Sequence, residues 1–141
     1  MATWSAAPFG NDDAMDFFHM LEPLDPADVP ATLRDALLDV TANEGYLDLI
    51  DANRGVAAAS IVAVIASVAA DPDDAGIDDD AVIDWLASTD FDLPDDLPTL
   101  AAEALDRVGE DDSEWLDTWS LTDERLTDAR AKVSAIRSLL E

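Results

Sequence analysis

A chain of 141 residues that is 49% hydrophobic has room for one domain with a core. The absence of cysteine excludes a disulfide framework, a thiolate nucleophile and a cysteine-based zinc site, and the lone His19 excludes a cluster of histidine ligands. Thirty-three acidic residues against seven basic ones give a formal net charge of −26, which opposes nucleic acid phosphates and anionic lipid surfaces as partners.

In chain order, the first predicted helix starts at Asn11, a good N-cap, with Asp12 and Asp13 in the first turn where the helix dipole favours anions. Ala14, Phe17, Phe18 and Leu21 follow at helical spacing and form one apolar face, and the helix stops near Pro23. A second helix is expected from about Pro30 to Ala42, with Leu33, Leu37 and Val40 inward and Gly45 ending the unit. Asp51 is expected to cap a third helix over about 51–70. Its body is apolar nearly all round, with a narrow strip of Ala59, Ala63, Ala66 and Ala70 that lets a neighbouring helix approach closely. This apolar run falls short of the roughly 20 residues of a membrane span, so it reads as a buried central helix.

The stretch Asp71–Asp80 holds six aspartates in a turn, followed by a short helix carrying Val82, Trp85 and Leu86. A second acidic loop, Asp90–Pro98, leads into a helix from about Pro98 to Val108. Ser113 is positioned to cap a short helical segment bearing Trp115 and Trp119. The last helix, about Thr122 to Leu140, places Leu126, Ala129, Val133, Ile136 and Leu140 in steps of three and four. Residues 122–141 hold four acids and four bases, so residues 1–121 carry the whole net charge. No stretch alternates with period two. The expectation is an all-α, single-domain bundle over residues 1–141, with about five to seven helices around the central one.

Two clusters carry the residue types of a cation site. Asp12, Asp16 and His19 fall at i, i+4 and i+7 and share one helix face, a partial metal-ligand set. That face lies opposite Ala14, Phe17, Phe18 and Leu21, so the simpler account is the solvated side of an amphipathic helix. The second cluster, Asp71, Asp73 and Gly76, matches positions one, three and six of a calcium-binding EF-hand loop. Ala75, Asp78 and Val82 occupy the fifth, eighth and twelfth positions, where the pattern requires other residue types. Loose calcium or magnesium association with Asp71, Asp73 and Asp78 is the remaining cation reading. No cofactor is expected. The chain contains no nucleophile elbow, P-loop or dinucleotide fingerprint, and no carboxylate pair stands out as acid and base.

The segment from Trp4 to Phe17 contains a tryptophan, then Phe9-Gly10, then Asn11-Asp12-Asp13-Ala14 opening a helix. This pattern resembles the signature of the DUF4259 family, although Ser5 and Ala7 stand where that pattern favours glycine. Trp85 and the segment from Ser113 to Trp119 are similar in kind to the family's C-terminal region. The resemblance implies a small helical bacterial domain and assigns no catalytic residue. Trp4, Phe9, Asn11, Asp12 and Asp13 then serve either as a structural lock at the base of the core or as a recognition surface.

Function follows from charge more than from any motif. The favoured reading is a non-enzymatic acidic protein that engages a basic protein partner as an inhibitory or regulatory module. The alternative is a cation-binding protein or metal-dependent enzyme using the clustered aspartates. An acidic bias from genome composition or salt adaptation is a third account. The N-terminus has no basic segment followed by an apolar run, so a cytoplasmic location is the expectation.

Overall fold

A computed structural model describes residues 7–67 and 70–140. Trp4 and Val68 lie outside the described residues. Among those described, the chain forms seven α-helices and two short 3₁₀ turns, with no strand. Helix α1 is Asp12–Leu21, α2 is Val29–Thr41 and α3 is Leu49–Ala66; α4 is Asp80–Ser88, α5 is Leu97–Val108, α6 is Glu114–Trp119 and α7 is Asp123–Leu139. The 3₁₀ turns, Pro26–Asp28 and Pro72–Ala75, each begin with proline, whose missing amide hydrogen costs nothing at a helix start.

Helix α3 is central, packed by α2 and α5 along its length and by α1, α6 and α7 around it. Eleven of its 18 residues are buried, from Ala52 to Ala63. By length and composition alone this helix is apolar enough to cross a membrane, but 61% of it is covered by the other helices. Close approach to α2 depends on Gly55: a Cβ there would lie 2.5 Å from Val40 Cγ2. The expected alanine strip contributes only in part, because Ala59 and Ala63 are buried whereas Ala66 is exposed and Ala70 lies beyond the helix.

Local sequence signals set most helix starts. Asn11 Oδ1 accepts from Ala14 N at 2.8 Å, Asp79 caps α4, Ser113 caps α6 and Thr122 caps α7. Helix α3 differs from expectation at both ends. Its N-cap is Asp48, whose Oδ1 accepts from Asp51 N at 2.9 Å, and Asp51 falls in the first turn. The earlier start has a tertiary cause: Glu114 Oε1 accepts from Leu49 N at 2.9 Å, satisfying a second free amide of that end. The helix ends at Ala66, because Ser67 turns to extended backbone. Helix α2 ends where its sequence predicts, with Ala42 as its C-cap.

The loops leading into α3 and α6 are fastened together. Leu47 N donates to Asp112 O and Glu114 N donates to Leu47 O, each at 2.8 Å, forming a lone parallel bridge between Leu47 and Ser113. Asp112 adopts a left-handed φ of 62°, which aspartate tolerates better than most residues. The Arg107 guanidinium donates to Gly45 O at 2.7 Å and to Asp112 O at 3.2 Å, clamping both loops from below. Tyr46 adds a hydroxyl donated to Asp117 Oδ2 at 2.7 Å. These ties hold α6 against the first turns of α3.

Candidate functional site

The two sequence stretches that carry the family resemblance meet in space. Ala7, Pro8 and Asn11 from the N-terminal loop face Trp115 and Trp119 of α6 across Asn53 and Val56 of α3. The loop itself is a tight turn, with Gly10 N donating to Ala7 O at 3.0 Å. Pro8 packs on Gly76, whose left-handed φ of 78° leaves a Cβ no comfortable position, since it would lie 3.2 Å from Pro8 Cδ.

Phe9 is buried and meets Phe18 edge-on at 6.3 Å between ring centroids, and Phe18 meets Trp85 edge-on at 5.8 Å. Such perpendicular pairs are favoured by the ring quadrupole. Phe9 is thus part of the core, and Asn11 caps α1. Asp12 is exposed at the helix start, and Asp13 is directed inward. Asp13 Oδ2 accepts from Asn53 Nδ2 at 3.0 Å, which ties the start of α1 to α3.

The crevice between these groups leaves no room for a water molecule. Trp119 is 6% exposed, and its indole Nε1 is buried without an acceptor among the described residues. The arrangement is a packed junction of three elements and, among the described residues, shows no nucleophile with an adjacent base. Asn53, only 3% exposed, is the residue that sequence reading passed over. Its one signal was a carboxamide in a helix otherwise apolar on most faces.

The cation candidates are placed as follows. Asp12, Asp16 and His19 are all exposed on α1, and the His19 ring lies 5.9 Å from that of Phe18. In the Asp71–Asp80 stretch the carboxylates serve helix starts. Asp74 Oδ2 accepts from Asp71 N at 2.9 Å, and Asp79 Oδ1 accepts from Ala81 N and Val82 N at 3.0 and 3.3 Å. Asp71 forms a capping box with Asp74 at the second 3₁₀ turn, and Asp73 and Asp78 are exposed. Among the described residues no group of three or more Asp, Glu or His side chains stands where it could hold a metal ion.

Electrostatic perturbations sit at structural ties. Hydrogen bonding to Asp117, reinforced by desolvation, pushes the Tyr46 hydroxyl up to about 12. Burial raises the Asp51 carboxyl, and the neighbouring Asp48 and Asp39 add to the effect. The Arg34 guanidinium holds Asp96 below the ordinary carboxylate value through a forked pair of hydrogen bonds, Nη1 to Oδ2 and Nη2 to Oδ1, the second at 2.9 Å.

Those ties account for two of the three bases outside α7. Arg34 joins α2 to the start of α5, and Arg107 serves backbone carbonyls. Arg54, half-buried on α3, stands close enough to Asp51 to lower its pKa. By contrast, Arg125 and Arg130 of α7 are exposed and make no ion pair among the described residues. The helical body therefore presents carboxylates to solvent with little compensating positive charge.

No curated protein and no solved structure matches the sequence. The family model described as a domain of unknown function, DUF4259, matches residues 2–131 of the 141, and the chain belongs to the DUF4259 family.

Proposed function

We propose that this protein is a non-enzymatic acidic interaction module whose helical body binds a basic protein partner, as an inhibitor or regulator of that partner. The observation that carries this reading is the disposition of charge. A net charge of −26 resides in residues 1–121, and Arg34 and Arg107 within that span are engaged in internal ties. Carboxylates arranged over one body create a field that steers a cationic protein towards it and raises its association rate. The junction of the N-terminal loop, α3 and α6 supplies rigidity to that body.

Capture from the native cell extract at low salt, followed by a high-salt wash, tests the reading. A basic protein retained at stoichiometric level and released by salt supports it. Retention of nothing contradicts it. A solubility role makes a different demand: the melting temperature then climbs steeply with added salt as self-repulsion is screened, with no partner retained.

A further inference from the structure

A groove of about 470 Å³ opens between two parts of the chain that are distant in sequence. One wall is Pro26, Ala27 and Pro30, from the first 3₁₀ turn and the start of α2. The other is Asp90, Phe91 and Asp92, from the second acidic loop. Its volume falls within the roughly 300–1,000 Å³ of small-ligand clefts. Both walls are held in place. One helical turn beyond Pro30, Arg34 grips Asp96 with two hydrogen bonds, and the Phe91 ring lies against Trp85 at 6.3 Å between centroids. Asp90 and Asp92 are exposed and have no hydrogen-bond or ion-pair partner among the described residues.

We propose that this groove is the docking point for an arginine side chain of the basic partner, an inference that rests on the function proposed above. Arginine fits its chemistry in three ways. The aliphatic stem lies along Pro26, Ala27 and Pro30, as long cationic side chains do on apolar surface. The guanidinium meets the Phe91 ring, a contact that favours arginine over lysine. Its forked donors match the two free carboxylates of Asp90 and Asp92, which flank that ring in sequence. In the other long acidic stretch, Asp71–Asp80, Asp74 and Asp79 are spent on backbone amides at helix starts, whereas Asp90 and Asp92 are not.

The test is an amide chemical-shift titration of the whole chain at low salt with the peptide acetyl-Leu-Arg-Leu-amide, alongside its citrulline counterpart. The expected result is that shifts concentrate at Ala27, Asp90, Phe91 and Asp92 with the arginine peptide and vanish with the citrulline one. Phe91→Ala leaves the net charge unchanged and is expected to weaken binding roughly three- to tenfold. Ala27→Arg, at an exposed position, fills the groove with the chain's own guanidinium and is expected to abolish the shifts. Ala87→Arg, exposed on α4, matches that charge change and is expected to leave them. Shifts spread over other acidic segments, unaffected by Phe91→Ala and Ala27→Arg, would overturn the groove and leave the basic-partner reading standing. Absence of any shift with the arginine peptide would overturn both.

Discussion

Helices α3 and α7 are the two longest, at 18 and 17 residues, and they solve opposite problems. Helix α3 is apolar on most faces and buries eleven residues. Helix α7 buries only Ala129 and Ile136 and carries four bases against three acids. The difference teaches where stability and surface character come from. Burial around α3 organises the fold, because apolar area removed from water is the main favourable term. Helix α7 is held by a thin seam, and its exposed Arg125 and Arg130 make no ion pair among the described residues. Under the proposed function, a cationic partner is expected to meet the body around α3 and to be disfavoured along α7.

The largest expected effect comes from truncating matched apolar side chains on the two helices. Ile61→Ala, in the fully buried part of α3, is expected to cost about 2–5 kcal/mol, whereas Leu126→Ala, on the half-exposed seam of α7, costs about 1 kcal/mol or less. Denaturant unfolding followed by circular dichroism measures both. Equal losses would break the comparison.

A second substitution sharpens it. Alanine is normally the better helix former by about 1 kcal/mol, yet Gly55→Ala places a Cβ 2.5 Å from Val40 Cγ2 inside a close helix contact. A net loss of about 1–3 kcal/mol is expected. Partial recovery in the Gly55→Ala, Val40→Ala double variant would attribute the loss to that contact. A stabilised single variant would show that α2 and α3 have slack at this point.

The smallest effect concerns the entry to α3. The Tyr46 hydroxyl is raised from its ordinary 10.0 to about 12, so the folded state retains a proton that the unfolded chain releases earlier. The stability it contributes is complete below pH 10 and is lost as the pH rises through about 12. Asp96 acts at the other extreme, because its carboxyl is held low by Arg34; its contribution is present at neutral pH and is lost as acid protonates it. In Asp117→Asn, spectrophotometric titration is expected to find the Tyr46 midpoint moved back towards 10.0. An unmoved midpoint would remove Asp117 as the cause.

Much of this molecule was legible in its sequence, for local reasons. Asn11, Ser113 and Thr122 cap the helices they precede, because capping involves amides two or three residues away. The inward faces of α1 and α2 follow from apolar spacing. Asp48 and Asp51 show the limit of such reading. Both are competent caps, and Glu114, which accepts from Leu49 N 65 residues before it in the chain, favours the earlier start. The early end of α3 is equally opaque, since its alanine and valine run contains no stop signal.

The candidate site was half visible. Phe9, Asn11, Asp13, Trp115 and Trp119 stood out by residue type, and nothing local showed that they converge through Asn53. The groove between Pro26 and Phe91 was invisible for the same reason. The Arg34–Asp96 tie that holds it joins residues 62 apart.

If charge is what a partner meets, the body around α3 is more anionic to an approaching cation than α7 is. Paramagnetic relaxation of amide protons by a matched pair of small cationic and anionic nitroxides measures this residue by residue. The expected result is stronger relaxation by the cationic probe across the described residues up to 121, falling to its lowest ratio on the exposed face of α7 near Arg125 and Arg130. A ratio that is the same along α7 as over the body would contradict it.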